Sequence, residues 1–420
     1  MNAIDHSLVA PLIRGLWINE SGLPRTVIPG EDNASIPAGC FEADISSAMK
    51  NGEFDEESAA KILIEACDEW KFERSPSGAA ATGKEATINL PSCARIRVGE
   101  ETAVYWTGAD LDEARARADR NDASPWLVAR PAADARRLAS SAIARSSVVA
   151  NRIALVTGGA QGFGEEIARA LAASGATVFI ADLNLSGAEK LAAELNAERG
   201  KTVAIALASN VADEESVQAM FRLIAETAGG LDLCVSNAGV LKAAGVLEQD
   251  LSAFKFVTDV NYTGFFIVSK HCGRLLRRQH RTAPRWKTDI VQINSKSGLE
   301  GSNKNGAYAG GKFGSIGLVA SFALELVEYG IKVNAICPGN FFDGPLWSDP
   351  EKGLFVQYLK TGKVPGAKTV ADVKASYEAK VPMKRGCEGA DVMRALYYIV
   401  EQEYETGQAV PVTGGQVMLH

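Results

Sequence analysis

The larger, C-terminal part of the chain alternates short apolar runs with amphipathic stretches. The first apolar run covers residues 153–156, a glycine-rich segment follows at 157–164, and a helical pattern begins at 165. Alternating strands and helices favour a parallel sheet that is covered by helices on both faces. We therefore predict an α/β fold with a doubly wound parallel sheet over residues 151–420.

The glycine-rich segment lies between a predicted strand and a predicted helix, which indicates a dinucleotide site in a Rossmann sheet. Glycines let the backbone approach a pyrophosphate, and the helix N-terminus favours its negative charge. The next predicted strand, 176–180, is followed by Asp182. A carboxylate there accepts hydrogen bonds from the ribose hydroxyls of NAD and repels the 2′-phosphate of NADP. Because positions 161, 183 and 184 carry no Arg or Lys, the sequence predicts NAD as the cofactor.

A serine, a tyrosine and a lysine in the segment 295–312 indicate acid/base chemistry. Tyr308 and Lys312 are four residues apart and share one face of a helix. The lysine charge is expected to lower the pKa of the phenol from its ordinary value of about 10. Ser295 follows the run 289–294 and is placed to bind the same substrate oxygen. Such a pair, taken alone, is more often part of a solvated helix.

Motifs along this part of the chain resemble the short-chain dehydrogenase/reductase family and occur in that family's order. They are the glycine-rich segment, the turn 209–211, Ser-Asn-Ala-Gly at 236–239, Asn261, the set Ser295, Tyr308 and Lys312, and Pro338-Gly339. Asn210 stands where the family usually has Asp, and Ser236 where it usually has Asn. Residues 340–343 lack the family's threonine that bonds the nicotinamide carboxamide.

The resemblance implies reversible hydride transfer between an alcohol carbon and nicotinamide. It implies that Tyr308 exchanges the proton, that Ser295 binds the substrate oxygen, and that Lys312 lowers the tyrosine pKa and bonds the nicotinamide ribose. It also implies that Asn261 positions a water that links Lys312 to solvent. The cofactor contacts that it implies are Gly158, Gln161, Gly162, Phe163, Gly164, Asp182, Leu183, Asn210, Val211, Asn237, Ala238, Gly239, Tyr308, Lys312, Pro338 and Gly339.

Further segments resemble family members that interconvert a sugar-alcohol phosphate and a ketose phosphate, with sorbitol 6-phosphate and fructose 6-phosphate as the best match. They are Lys242, Lys296 directly after Ser295, and the stretches 381–387 and 412–418. A phosphate requires cations near the pocket, and Lys242, Lys296, Lys384 and Arg385 are the candidates. Each of them alone is more often a solvated surface cation. Residues 341–364 are expected to form a mobile lid.

Two other functions remain open on the sequence. One is a dehydrogenase of another polyol or of an unphosphorylated sugar, with the basic residues incidental. The other is a non-catalytic NAD-sensing or scaffold protein. The complete set of Asn261, Ser295, Tyr308 and Lys312 argues against the second, because a sensor does not need all four.

Composition limits the classes of partner and compartment. A net charge of −7 gives no case for nucleic acid or an anionic membrane. Four histidines without ligand spacing predict no metal site. Seven cysteines without a Cys-x-x-Cys pair favour a reducing compartment over a disulfide framework. With no signal peptide evident, we expect a cytoplasmic protein that binds a small sugar phosphate. The apolar stretch 313–329 predicts a homodimer or homotetramer.

The N-terminal part predicts a small mixed α+β domain of unknown role over residues 1–128. Short strands are expected at 16–18 and 26–28, a helix at 55–70, and a hairpin formed by 94–98 and 102–106. An Ala/Ser/Arg-rich linker is expected at 129–150.

Overall fold

The computed structural model describes most of the chain, with gaps mainly in the N-terminal part. The residues described are 4–21, 24–30, 40–50, 53–74, 87–98, 101–122, 126–129, 145–351, 353–360, 362 and 364–418. Most of the predicted linker lies outside these residues. Of that segment, residue 129 ends a strand, and Arg145–Val149 form a 3₁₀ turn.

The N-terminal part forms a mixed four-stranded sheet with helices, in agreement with the predicted small α+β domain. Its elements are α1 (His6–Ser21), β1 (Thr26–Pro29), β2 (Phe41–Asp44), β3 (Met49–Lys50), β4 (Glu53–Phe54), α2 (Glu56–Arg74), β5 (Thr87–Leu90), β6 (Cys93–Val98), β7 (Glu101–Gly108), α3 (Leu111–Arg120) and β8 (Trp126–Ala129). The sheet order is β1-β7-β6-β2, with β2 parallel to β6 and the other neighbours antiparallel. The predicted helix is α2, and the predicted hairpin is β6 with β7.

The strand predicted at 16–18 is wrong, because these residues belong to α1. The buried apolar positions of this helix include 9, 12, 13, 16 and 17, which have the spacing of one helical face. Ala10 and Ile18 are buried as well. A short apolar run cannot be assigned to strand or helix by itself. The strand predicted at 26–28 is present as β1, but its partner is β7.

The cysteines depart in one respect from the expectation of free thiols. Cys40 and Cys93, which are 53 residues apart in sequence, form a disulfide. They lie beside β2 and at the start of β6, so the parallel pairing of these strands brings the two sulfurs together. The other five cysteines are buried, and are Cys67, Cys234, Cys272, Cys337 and Cys387.

The C-terminal part contains the predicted doubly wound sheet of seven parallel strands. Its elements are β9 (Ile153–Thr157), α4 (Gly162–Ala173), β10 (Thr177–Asp182), α5 (Leu185–Arg199), β11 (Ala204–Ala208), α6 (Glu214–Ala228), β12 (Leu233–Ser236), α7 (Leu251–Thr258), α8 (Gly264–His280), β13 (Thr288–Ile293), α9 (Gly306–Leu326), β14 (Ile331–Pro338), α10 (Pro345–Ser348), α11 (Leu354–Lys360), α12 (Val370–Ala379), α13 (Gly389–Glu401) and β15 (Ala409–Val412). The strand order is β11-β10-β9-β12-β13-β14-β15. The chain therefore reverses its direction of winding between β9 and β12, where ligands bind in such sheets.

Two apolar layers hold the sheet between its helices. On one face, Ile167 of α4, Leu191 of α5 and Val392 of α13 are buried together. On the other face, a second buried cluster includes Val217 of α6 and Val268 of α8. Buried strands with no polar alternation, such as β9, are what two covered faces require.

The N-terminal part contacts the edge of this sheet at which the strands begin. Helix α1 packs against α6 and α8, and Thr282 Oγ1 donates a hydrogen bond of 2.6 Å to Leu12 O. Arg14 also pairs with Asp232, the residue that precedes β12. These contacts therefore lie at the opposite edge from the carboxyl ends of the strands.

Among the described residues, one helical stretch, Gly306–Tyr329, is long and apolar enough to cross a membrane by length and composition alone. It includes α9, which packs against β14 within the folded domain. The core helix of a soluble protein meets the same two criteria.

Candidate active site

The glycine-rich turn after β9 leaves space for a ligand at the start of α4. Gly158 has a φ of +61°, and a Cβ on it would lie 2.8 Å from Ala238 Cα. Gly162 has a φ of +60°, and no described atom lies within 4 Å of its virtual Cβ. The first N–H groups of α4 have no acceptor within the helix. This end of α4 is therefore shaped for an anionic group such as a pyrophosphate.

Asn237 fixes the glycine-rich turn to the neighbouring strand β12. Its Nδ2 donates to Thr157 O at 3.0 Å and to Gly158 O at 2.9 Å. Its backbone N–H donates to Thr157 Oγ1 at 3.1 Å. The structure thus brings the predicted Ser-Asn-Ala-Gly segment against the glycines, as expected for a residue that supports the cofactor turn.

Asp182 ends β10 beside the same turn. Its carboxylate accepts hydrogen bonds from Ala160 N at 3.0 Å and from Asn184 N at 2.9 Å. Leu183, which follows it, is 78% exposed. The carboxylate is therefore oriented by backbone donors at the carboxyl end of the sheet.

The turn after β11 contains Ser209, Asn210 and Val211. Asn210 Oδ1 accepts from Ala212 N at 3.1 Å, so its amide oxygen is engaged by the turn itself. Ser209 Oγ is buried and has no hydrogen-bond partner in the described part of the chain. A buried hydroxyl without a partner fits a site whose ligand supplies one.

Asn261 lies in a π-helical turn, Asp259–Thr263, between α7 and α8. Its Oδ1 accepts from Val240 N at 2.9 Å, and its Nδ2 donates to Val240 O at 2.7 Å. π-Helical turns are frequent at functional sites. Here the turn directs the amide at the segment that follows Gly239.

Lys312 and Tyr308 lie on α9, as their spacing predicted. The Lys312 ammonium donates to Ile293 O at 2.8 Å and lies 5.6 Å from the centre of the Tyr308 ring. Burial lowers the pKa of the Lys312 ammonium to about 8. This ammonium is therefore bound to the end of β13, two residues before Ser295, the predicted catalytic serine.

The expected lowering of the Tyr308 pKa is not seen. Burial raises the pKa of the phenol, and the Ser295 side chain acts in the opposite direction without cancelling the rise. Removal of water penalises the phenolate, and the Lys312 ammonium is bound to a carbonyl. The phenol in this structure therefore holds its proton more tightly than a free tyrosine does.

Ser295 follows β13 and caps the start of a short 3₁₀ turn, Lys296–Gly298. Its Oγ accepts from Ser297 N at 3.1 Å. This hydrogen bond leaves the hydroxyl hydrogen available for an acceptor. The structure thus brings Ser295, Tyr308 and Lys312 together at the carboxyl ends of β13 and β14. Asn261 adjoins them, because a Cβ on Gly239 would lie 3.0 Å from Asn261 Oδ1 and 3.9 Å from Lys312 Nζ.

The four predicted phosphate-binding cations differ in their surroundings. Arg385 pairs with both oxygens of Asp391, at 2.6 Å and 3.0 Å, and Lys384 Nζ donates to Ala379 O at 2.8 Å. Lys242 is exposed, with its ammonium 4.8 Å from the centre of the Phe256 ring. Lys296 is half-buried, and its ammonium makes no hydrogen bond or ion pair within the described part of the chain.

The segment after Pro338-Gly339 contains a contact that the sequence analysis missed. Phe341 stacks on Phe163 of the glycine-rich turn, with ring centres 4.3 Å apart and planes 13° apart. The aromatic pair at 341–342, directly after the Pro-Gly turn, was the available signal. An apolar contact therefore joins this segment to the cofactor turn at the place where the family's threonine is missing.

The expected lid is built from α10 and α11. Phe342, Trp347 and Phe355 pack together in an apolar cluster that also includes Val373 and Val381. Asp343 accepts from Lys374 Nζ at 2.6 Å. The segment thus shares a small apolar core with α12 and with Val381.

The residues present fit a dinucleotide cofactor. The open space at Gly162, the start of α4, the oriented Asp182 carboxylate and the orphan Ser209 hydroxyl lie along one edge of the sheet. At Gly158 the glycine-rich turn passes close to the backbone of Ala238, and the absence of a side chain makes this contact possible.

Comparison with known proteins agrees with this geometry. The family model for short chain dehydrogenases matches residues 152–347. The sorbitol-6-phosphate 2-dehydrogenase of Escherichia coli (strain K12) is 38% identical over 271 residues, which cover 64% of this chain and 99% of that protein. The matched family region begins after the N-terminal α+β part.

Solved structures give the same result. The crystal structure of sorbitol-6-phosphate 2-dehydrogenase SrlD from Erwinia amylovora is 39% identical, with a TM-score of 0.58, and covers 63% of this chain and 100% of that one. The RhlG/NADP active-site complex of Pseudomonas aeruginosa is 27% identical, with a TM-score of 0.55, and covers 65% and 99%. The chain therefore belongs to the short-chain dehydrogenase family and is an oxidoreductase that acts on CH–OH groups with a nicotinamide cofactor.

Proposed function

We propose that this protein interconverts a sugar-alcohol phosphate and a ketose phosphate with NAD, and that sorbitol 6-phosphate and fructose 6-phosphate are the pair. The observation that carries the proposal is Lys296, a half-buried cation beside Ser295 that has no polar partner in the described part of the chain. A partly desolvated ammonium at that place favours an anionic substrate group. Relatives of 38% and 39% identity that bear the name sorbitol-6-phosphate 2-dehydrogenase support the same substrate.

The preference for NAD is argued from Asp182. Its carboxylate is held by two backbone N–H groups, and its neighbours Leu183 and Asn184 are uncharged. A 2′-phosphate at this place meets a negative charge with no adjacent cation, whereas ribose hydroxyls meet two acceptor oxygens. A neighbour of known structure is an NADP complex, and the assay below therefore compares the two cofactors.

The chain's own residues account for the proton transfer. A bound nicotinamide accepts or supplies the hydride. Ser295 Oγ–H donates to the substrate oxygen, and Tyr308 gives its proton to that oxygen in reduction or takes it in oxidation. The raised pKa of the Tyr308 phenol favours the protonated form that reduction requires. Lys312, whose ammonium donates to Ile293 O, and Asn261 are the other polar side chains of the proposed site.

The test is reduction of NAD by the purified protein with sorbitol 6-phosphate. Sorbitol, mannitol 1-phosphate and NADP are the parallel controls, and Tyr308→Phe is the blank. We expect activity with sorbitol 6-phosphate and NAD, and its loss in the variant by about 10²–10⁴-fold, the range for a general acid/base. Turnover of sorbitol without turnover of its phosphate would refute the proposed substrate.

A second substrate class is supported by one observation. Lys384 and Arg385 are already bound to protein acceptors, which leaves fewer cations for a phosphate. An unphosphorylated polyol is therefore the alternative, and the same assay separates the two.

We also propose that the protein forms a homodimer or homotetramer through α7, α8 and α9. Large apolar side chains are exposed on these helices: Leu251, Phe254, Phe256, Phe266, Phe313 and Leu324. Exposed apolar patches of this kind mark protein interfaces. Size-exclusion chromatography with light scattering is the measurement, and a monomeric mass would contradict the proposal.

A further inference from the structure

Asn294 is a buried amide between Ile293, whose carbonyl binds the Lys312 ammonium, and Ser295. It is 4% exposed and follows the last residue of β13. Buried polar side chains are costly unless they are hydrogen-bonded, so their partners show what they hold in place.

The Asn294 side chain makes three hydrogen bonds. Its Oδ1 accepts from Ser295 N at 2.8 Å. Its Nδ2 donates to Lys312 O at 3.0 Å and to Gln292 Oε1 at 2.8 Å. Gln292 is itself buried. One amide therefore joins the backbone of Ser295 to the backbone of Lys312.

Lys312 is consequently held twice by the end of β13. Its ammonium donates to Ile293 O at 2.8 Å, and its carbonyl accepts from the adjacent Asn294. The packing at this point is tight, because a Cβ on Gly298 would overlap Asn294 Oδ1 and lie 3.0 Å from Lys312 O. The strand end thus fixes both the charged end and the main chain of the lysine.

We propose that Asn294 is a positioning residue that sets the distance between the Ser295 hydroxyl and the Tyr308 and Lys312 face of α9. The inference rests on the proposed function, in that the alignment matters for the proton transfer described above. A displacement of about 1 Å in a catalytic constellation costs up to about 100-fold in rate. Only a side chain with one acceptor and two donors satisfies all three partners.

The chemistry of Asn294 allows an isosteric test. Asn294→Asp keeps the shape and the acceptor but has no donor, so Lys312 O and Gln292 Oε1 lose their hydrogen bonds. Asn294→Ala removes all three bonds. Asn334→Ala is the matched control, because Asn334 is 1% exposed in the adjacent strand β14 and its Oδ1 accepts from Gln408 N at 2.9 Å, away from Ser295 and Lys312.

The experiment compares steady-state kinetics, pH profiles and thermal unfolding of the wild type and the three variants. We expect kcat to fall about 10–100-fold in both Asn294 variants while the KM for sorbitol 6-phosphate changes less than about threefold, because the alignment of the reacting groups rather than the binding of this substrate is lost. We also expect the apparent pKa of the kcat profile to shift in these variants only, since the Lys312 environment changes. The control is expected to keep kcat within about twofold despite a comparable loss of thermal stability.

Equal kcat losses in Asn294→Asp and Asn334→Ala, with unshifted pH profiles, would overturn the inference. Titration of NADH fluorescence supplies a readout that needs no substrate. Lys312 is expected to bond the nicotinamide ribose, and its carbonyl accepts from Asn294, so a displaced Lys312 weakens NADH binding. Weaker NADH binding in the Asn294 variants than in the control therefore supports the positioning role even if sorbitol 6-phosphate is not turned over. Unchanged NADH binding together with unchanged kinetics refutes it. If sorbitol 6-phosphate is not the substrate, the wild type itself does not turn it over, and this result is distinct from any effect of the Asn294 variants.

Discussion

Arg14 and Asp232 form an ion pair between the N-terminal part and the dehydrogenase sheet, and neither side chain is exposed to solvent. The nitrogen and oxygen are 2.6 Å apart. Burial by itself would raise the pKa of the Asp232 carboxyl, but Arg14 and the Ile153 N–H hold that pKa below its usual value. The carboxylate also accepts from Trp286 Nε1 at 2.9 Å. The charge of Asp232 is thus balanced by a residue that lies outside the matched family region.

Replacement of Arg14 by Met is expected to destabilise the whole protein. It leaves a buried carboxylate without its cation, which costs about 3–5 kcal/mol. The measurement is the free energy of unfolding from urea denaturation. Lys61→Ala is the control, because Lys61 pairs with Glu65 at the surface, where the nitrogen and oxygen are 3.9 Å apart, and such pairs contribute about 0–1 kcal/mol. Equal stabilities of the two variants would contradict the prediction.

Replacement of Lys296 by Ala is expected to raise KM for sorbitol 6-phosphate with little change in kcat. A hydrogen bond to a charged group contributes about 1.5–3 kcal/mol, or roughly 10- to 150-fold in KM. The KM for any unphosphorylated polyol should stay constant. Lys190→Ala, on the exposed surface of α5, is the control. An unchanged KM for the phosphate in Lys296→Ala would favour the unphosphorylated substrate.

Replacement of Asp182 by Ser is expected to reduce the preference for NAD over NADP. The change removes the carboxylate that repels a 2′-phosphate. The ratio of the two kcat/KM values should fall by about 10- to 100-fold, which corresponds to about 1.4–2.8 kcal/mol of repulsion at this partly exposed position. Glu189→Gln changes a nearby exposed carboxylate and should leave the ratio unaltered. A ratio unaffected by Asp182→Ser would show that other residues select the cofactor.

Lys312 is expected to make stability depend on pH above about 8. Burial lowers its pKa from 10.5 to about 8 in the folded state, so the unfolded chain holds more protons between these values. The free energy of unfolding contributed by this group therefore rises with pH across that window and is constant below it. Urea denaturation at both ends of the window tests this, with Lys312→Met as the reference. A wild type whose stability changes with pH as the variant's does would refute it.

Local features were predictable because short-range rules govern them. The strand, glycine turn and helix at 153–173 were predictable from hydrophobic periodicity and from the glycines of the turn. Two of these glycines, Gly158 and Gly162, have the positive φ angles that such a turn requires. The helical spacing of Tyr308 and Lys312 placed both on α9. The strand predicted at 16–18 failed because three apolar residues fit a helix face equally well.

The sequence by itself predicted the alternation of strands and helices in the C-terminal part, the cofactor turn and the candidate reactive side chains, because each depends on residues within about one turn or one strand. Only the tertiary structure decided which distant segments meet. The Arg14 and Asp232 pair, the Cys40 and Cys93 bond, and the Phe163 and Phe341 stack are of this kind. The tertiary structure also decided that the Tyr308 pKa is raised, since the surrounding fold removes water that would stabilise a phenolate.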